Sequence, residues 1–254
     1  MGKPDIIIKE NPFELAVAGA NALLRAANES VSLYGRFRVA LSGGRTPEKM
    51  FGLLLEEPFI SGLPWEKMFF FWVDERCVPF NDPSSNFGTA WRVFLSHVRL
   101  REDQIHPMPA DMNPEKGSRS YWQTLARFFQ IDKTEIPVFD LLFLGMGNDG
   151  HTASLFPGDD SVENTRRPVV AVKGGDPHVY RLTLTYRVIN QAREIIFLVS
   201  GKEKARILRS VLEVKSSTLP AGRVRPLNGR LTWIIDREAA SLLEKYGRNG
   251  NVSG

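Results

Sequence analysis

FRVALSGGRTP, residues 37–47, reads as one structural unit: an apolar strand, a two-glycine turn and the first residues of a helix. Phe37 to Leu41 form a short strand of the kind buried on both faces, which needs helices packed above and below it. Thr46 and Pro47 then open a helix expected to reach about Leu55. The same pattern recurs along the chain. Met68–Val73 (MFFFWV) runs into Asp74-Glu75-Arg76, and Phe139–Leu144 (FDLLFL) runs into GMGNDGH. Ile195–Val199 leads into SGKEKARILRSVL, a helix by its periodicity, and Leu231–Ile235 precedes a C-terminal helix of about ten residues. Arg181–Thr185 is one further strand.

Upstream, Phe13, Val17, Ala20, Leu24, Ala27 and Val31 recur at three- and four-residue steps and mark an amphipathic helix from Pro12 to about Tyr34. Asn11 suits its N-cap, with Pro12 at the first helical position and Glu14 three residues after the cap. Helical patterns also cover Phe87–Val98 and Ser120–Phe129. Apolar strands alternating with helices predict an α/β fold, a mostly parallel, helix-covered open sheet. There is no internal repeat and no linker, so residues 1–246 are expected to form one domain, with 247–254 a disordered tail. Ligands of such sheets bind at the C-terminal ends of the strands, where the Gly-rich segments fall.

The 254 residues carry a formal charge of +4, with 33 basic residues scattered among 29 acidic ones. No run of five or six Lys/Arg occurs and no nucleic-acid recognition motif is visible, so neither DNA nor RNA is expected as a partner. The slight positive excess suits a small anionic substrate. No apolar run approaches the roughly 20 residues of a membrane span. MGKPDIIIKENPF lacks the features of a secretory signal, and Ile6 stands where a myristoylation motif needs Ser or Thr. One cysteine, Cys77, allows no internal disulfide and points to a reducing, cytoplasmic setting.

Three segments carry chemistry. In Ser42-Gly43-Gly44-Arg45-Thr46-Pro47, two glycines allow close backbone approach while a beginning helix turns open N–H groups toward an anion; the plainer reading is a tight strand-to-helix turn. It is not a P-loop, because no Gly-Lys-Ser/Thr follows. Asp74-Glu75-Arg76 cannot enter a core unpaired, so these residues lie at the sheet's rim or pair with one another. Cys77 beside them is either an activated thiol or a partly buried structural cysteine. Gly145-Met146-Gly147-Asn148-Asp149-Gly150-His151 contains G-x-G-x-x-G after a strand. However, Pro157 follows too closely for a long helix, and Val170 stands where a dinucleotide site needs an acid.

What remains is a shaped Gly-rich turn that presents Asp149 and His151 at the sheet edge. Of the four histidines (97, 106, 151 and 178), only His151 lies in such a turn. No G-x-S-x-G elbow and no His pair with metal-ligand spacing is present. Water activated by a histidine base is then the simplest chemistry, with no metal and no cofactor.

SGGRTP, DER, GMGNDGHTASLFPG, RLTLT and SGKEKARIL, in this order, resemble the motif set of the 6-phosphogluconolactonases. LPAGRVRPLNGRLTWIIDREAASLL is also like that family's C-terminal segment. The resemblance runs from about residue 6 to residue 245, nearly the whole chain. Glucosamine-6-phosphate deaminases share the implied fold. After the histidine they carry Phe-Asn-Glu-Pro, where this chain has Ser154-Leu155-Phe156-Pro157 with no carboxylate.

The resemblance implies hydrolysis of 6-phospho-D-glucono-1,5-lactone in the oxidative pentose phosphate pathway. His151 would be the base, Arg76 and turn N–H groups would face the developing oxyanion, and Asp149 or Asp74 would orient the imidazole. Ser42, Gly43, Gly44, Thr46 and Gly147, with Lys204 of the S-G-x-x-K-A stretch and Arg181, would hold the substrate and its phosphate, and Arg45 would add charge. A monomer or weak homodimer is expected. The rival readings are a sugar-phosphate isomerase or deaminase, and a noncatalytic sugar-phosphate sensor.

Overall fold

In the computed structural model, residues 4–132, 134–159, 166–214 and 217–244 are described. In chain order the elements are β1 (Asp5–Lys9), α1 (Pro12–Tyr34), β2 (Phe37–Leu41), α2 (Arg45–Leu53), α3 (Phe59–Gly62), β3 (Met68–Trp72) and β4 (Asp74–Arg76). There follow α4 (Asn86–Val93), β5 (Ile105–His106), α5 (Pro114–Phe129), β6 (Leu141–Leu144), β7 (Val169–Gly174) and β8 (Val179–Leu184). The last are α6 (Tyr186–Ile189), β9 (Glu194–Val199), α7 (Ala205–Glu213), β10 (Arg230–Asp236) and α8 (Arg237–Ala240). Short 3₁₀ turns lie between several of them.

Seven strands form one sheet in the order β1-β10-β9-β6-β2-β3-β5, and every pairing in it is parallel. All residues of β2, β6 and β9 are buried, which matches their near-continuous apolar sequences. Arg38 is the charged residue inside β2, and it forms a two-pronged pair with Asp140 just before β6, both contacts 2.8 Å. Facing aromatics knit the sheet together: Phe197 of β9 and Trp233 of β10 are register partners stacked at 3.8 Å.

α1 begins as expected, with the Asn11 side chain accepting from the N–H groups of Phe13 and Glu14. It ends at Gly35, whose φ of 70° closes the helix with a left-handed residue. Its buried face of Leu15, Ala20, Leu23 and Ala27 packs on β2, β9 and β10.

The order of the large sheet reverses between β2 and β6, which pair directly. From β2 the chain proceeds to β3 and β5 on one side, while β6, β9 and β10 extend the other. The loops after β2 and β6 therefore diverge and leave a crevice at the strand C-termini.

Four features depart from the sequence reading. β1, β5 and β7 have no counterpart in it, because two are short edge strands and β7 belongs to a second sheet. That sheet is antiparallel, order β4-β8-β7, so Asp74-Glu75-Arg76 forms a ladder strand rather than a loose rim. The helix expected over 87–98 stops at Val93, and Leu95–His97 continues as a 3₁₀ turn. The expected ten-residue C-terminal helix is a single turn, Arg237–Ala240, among the described residues. Residues 247–254, read as a tail, lie outside the described residues.

Candidate active site

The crevice holds a cavity of about 350 Å³ bounded by the loops after β2, β3, β6 and β9. On one side stand Ser42, Gly43, Gly44, Arg45 and Thr46, with Gly201, Glu203 and Lys204 also in the wall. Asp74, Arg76, Asn86 and Arg181 form another part, and Gly145, Gly147 and His151 come from the loop after β6. Every site residue expected from the sequence is thus in the wall except Asp149, which stands behind the His151 ring. Arg45, Lys49, Arg76, Arg181 and Lys204 outnumber Asp74 and Glu203 there, so the cavity favours an anion.

The β6 loop is shaped around the histidine. Gly147 N–H donates to the His151 carbonyl at 2.8 Å, and Gly150 N–H donates to the Gly147 carbonyl at 3.1 Å. A methyl group on Gly147 would lie 2.1 Å from His151 Nδ1, so only glycine lets the ring fold back onto the turn. Gly150 takes a φ of 83°, where a side chain would be strained. The ring rests against Phe156, centroids 5.0 Å apart.

Asp149 Oδ1 accepts from His151 Nδ1 at 2.6 Å and from the His151 backbone N–H at 3.1 Å. Burial works to raise the Asp149 carboxyl, but the backbone N–H, the nearby ring charge and the ring N–H together hold it below the usual carboxylate range. An ionised carboxylate only accepts, so Nδ1 donates to Asp149, and in the neutral form of the ring the lone pair lies on Nε2. Of the two aspartates expected near the ring, Asp149 is the one hydrogen-bonded to it. Asp74 instead accepts from Ser154 Oγ at 2.7 Å and from Asn86 Nδ2 at 3.3 Å.

Arg76 Nη1 donates to the Ser84 carbonyl at 2.6 Å and to Asn86 Oδ1 at 2.7 Å. Its Nε is buried without a partner. Arg181 is its register partner across the β4–β8 ladder. Arg181 spends Nε on the Gly174 carbonyl and Nη2 on the Asp176 and Pro177 carbonyls. Burial, reinforced by the charge of Arg76, pulls the Arg181 guanidinium below its ordinary range.

At the opposite part of the wall, Gly44 caps α2 with a φ of 108° and no side-chain acceptor. The first N–H groups of the helix have no side-chain cap, and Arg45 and Thr46, which carry them, line the cavity. A Cβ at Gly43 would lie 1.8 Å from Asn86 Oδ1, so close packing requires this glycine too. Lys204 is half-buried, and burial with the charge of Arg45 lowers its ammonium below the usual lysine range against the pull of Glu203 and Asp149. Arg45 is largely exposed and stands 3.9 Å from Glu203.

Sequence reading missed three supports of this wall. Asn86 follows Ser85, whose N-cap character is visible in the sequence, but nothing local shows that its amide reaches the cavity. Ser154 is hidden in an apolar-looking stretch. Asp236, with 0% exposure, accepts from Ser200 Oγ at 2.6 Å and from Gly201 N–H at 3.1 Å, and so fastens the Lys204 turn to the end of β10.

Cysteine chemistry finds no support here. Burial, with Glu75, pushes the Cys77 thiol up to about 11, the opposite of an activated cysteine. His178 faces a separate groove with Cys77 and Tyr180, and His106 is stacked on Phe71. Among the described residues no three His, Cys, Asp or Glu side chains are grouped as metal ligands would be. No described helix is long and apolar enough to cross a membrane.

Residues 10–233 match the family model for glucosamine-6-phosphate isomerases/6-phosphogluconolactonase. A 6-phosphogluconolactonase of Synechocystis sp. is 39% identical, over 85% of this chain and 88% of that protein. One from Rattus norvegicus is 36% identical, over 94% and 93% respectively. A solved 6-phosphogluconolactonase from Trypanosoma cruzi superposes with a TM-score of 0.84 at 31% identity, covering 95% of this chain and 97% of that one.

Proposed function

The chain belongs to the glucosamine-6-phosphate isomerase/6-phosphogluconolactonase family, and we propose that it hydrolyses 6-phospho-D-glucono-1,5-lactone to 6-phospho-D-gluconate in the pentose phosphate pathway. The observation that carries this reading is the Asp149–His151 pair, which leaves Nε2 as a base in the wall of a cationic cavity.

Neutral His151 takes a proton from water as its oxygen attacks the lactone carbonyl carbon. General-base help of this kind is worth ~10²–10⁴-fold. The charge that develops on the carbonyl oxygen is met by Arg76, which is held in place before the reaction begins. The tetrahedral intermediate collapses by breaking the bond from carbon to ring oxygen, and the imidazolium returns its proton to that oxygen. Asp149 keeps the ring in the required tautomer and stabilises its charged form.

The phosphate is held by the open N–H groups around Gly43, Gly44, Arg45 and Thr46, with Ser42 beside them and Lys204 facing them. Arg181, its donors largely engaged, contributes charge next to Arg76. A sugar-phosphate deaminase reading is disfavoured by the residues after His151. Thr152 to Pro157 contain no carboxylate, and Ser154 Oγ is committed to Asp74.

Direct assay of lactone opening, with and without the 6-phosphate, tests the reading. Release of ammonia from an amino-sugar phosphate, or binding without turnover, would replace it. Because the described residues offer no metal-ligand group, activity should survive exhaustive dialysis against a chelator. Loss of activity that zinc restores would refute metal-free hydrolysis.

Lys204→Ala should weaken binding of the phosphorylated lactone by roughly ten- to a hundred-fold, equivalent to roughly 1.5–3 kcal/mol for one charge-assisted contact. Hydrolysis of unphosphorylated gluconolactone should hardly change, since it offers Lys204 nothing to hold. Equal losses on both substrates would remove Lys204 from the phosphate site.

A further inference from the structure

Of the residues in Asp74-Glu75-Arg76, the mechanism uses only Arg76, while Asp74 lines the cavity and holds Ser154 and Asn86. Alternation along β4 puts Asp74 and Arg76 in the cavity wall and turns Glu75 away from it. Glu75 is nevertheless 1% exposed, and its carboxylate is fully engaged. Oε1 accepts from the N–H groups of Arg76 and Asn86, both at 2.8 Å. Oε2 accepts from Phe87 N–H at 2.7 Å and Ser85 Oγ at 3.1 Å. Most of these donors belong to the start of α4, and their N–H groups oppose the burial that raises the Glu75 carboxyl above its usual range. Glu75 thus clamps the start of α4 against β4.

The clamp places Asn86, which is 3% exposed. Its Nδ2 donates to the Asp74 carbonyl at 2.8 Å, and its Oδ1 accepts from Arg76 Nη1 at 2.7 Å. The amide cannot be reversed, because a guanidinium only donates and a carbonyl only accepts. Together with the Ser84 carbonyl, Asn86 therefore saturates one corner of the Arg76 guanidinium. Nε is buried without a partner, so Nη2 is the donor left over.

We propose that Asn86, held by Glu75, is the positioning residue for Arg76, fixing the guanidinium so that Nη2 is left to meet the oxyanion of the lactone. This rests on the lactonase reading. Neither residue touches the reacting atoms; both act through Arg76.

A double-mutant cycle on the phosphorylated lactone tests it. Asn86→Ala should lower kcat roughly 10- to 10²-fold, the scale of a misplaced catalytic group, with KM little changed. In an Arg76→Ala background the same substitution should cause no further loss of kcat, whereas a general structural role would lower both enzymes alike. Glu75→Gln, which keeps the shape but cannot accept all the same donors, should behave in the same way and serves if Asn86→Ala does not fold. Undiminished kcat in the folded variants, or equal losses in both backgrounds, would overturn the assignment. Wild-type protein that does not open the lactone would overturn the lactonase reading, and this assignment with it; that outcome is seen before any variant is compared.

Discussion

His151→Ala is expected to fold normally and to lose turnover of the phosphorylated lactone by ~10²-fold or more, the contribution of a positioned general base. The ring is partly exposed in the cavity wall, and its packing partner, Phe156, is also packed against Arg181. Removal of the ring therefore takes away chemistry more than structure. The Nδ1–Oδ1 contact of 2.6 Å makes the effect specific, because it commits the proton to one nitrogen and the lone pair to the other. Asp149→Asn should lower kcat in the same direction, since an amide that turns its N–H toward Nδ1 stabilises the wrong tautomer. Circular dichroism would check the fold and steady-state kinetics the loss. A folded His151→Ala enzyme with near-normal kcat would end the proposed mechanism.

Arg76→Ala should cost about 10²–10³-fold in kcat, the usual consequence of removing one preorganised oxyanion donor. Its guanidinium is aimed before substrate arrives, through Ser84 and Asn86, so the protein does not have to reorganise during the reaction. The effect should fall on kcat more than on KM, because charge builds on the carbonyl oxygen only in the transition state. Arg76→Lys should rescue little. A lysine brings one compact ammonium and cannot satisfy Ser84 and Asn86 while still presenting a second edge to the substrate. A loss confined to KM would make Arg76 a substrate-binding group instead.

The apolar runs at Phe37–Leu41, Met68–Val73 and Ile195–Val199 were legible as strands because burial on both faces leaves no alternation to confuse with another element. The helix at Pro12–Tyr34 was legible for the same local reason, with its cap, first-position proline and periodicity all in agreement. The second sheet was not. β4 is three residues long and wholly charged, and it is a strand only because Glu75 finds the start of α4 and Arg76 pairs with Arg181 across the ladder. The helical pattern over 87–98 likewise overran, since periodicity continues past Val93 while Phe94 leaves the helix to pack against Phe51 and Phe70.

The sequence by itself determined the α/β alternation, the Gly-rich turns at the strand ends and the residue types proposed for anion binding and base catalysis. Each depends on contacts within a few residues: a strand end, a glycine that frees the backbone, a histidine in the same turn as an aspartate. Only the tertiary structure decided that Asp149 rather than Asp74 holds His151, and that Asn86 and Glu75 aim Arg76. It also decided that Asp236 fastens the turn bearing Lys204 to the large sheet. Asp74 and Ser154, and Asp236 and Ser200, come from segments far apart in the chain, and Asn86 reaches Arg76 only because α4 docks on β4. Their pairing is fixed by how the seven-stranded and three-stranded sheets bring these segments together, and no local pattern encodes that arrangement.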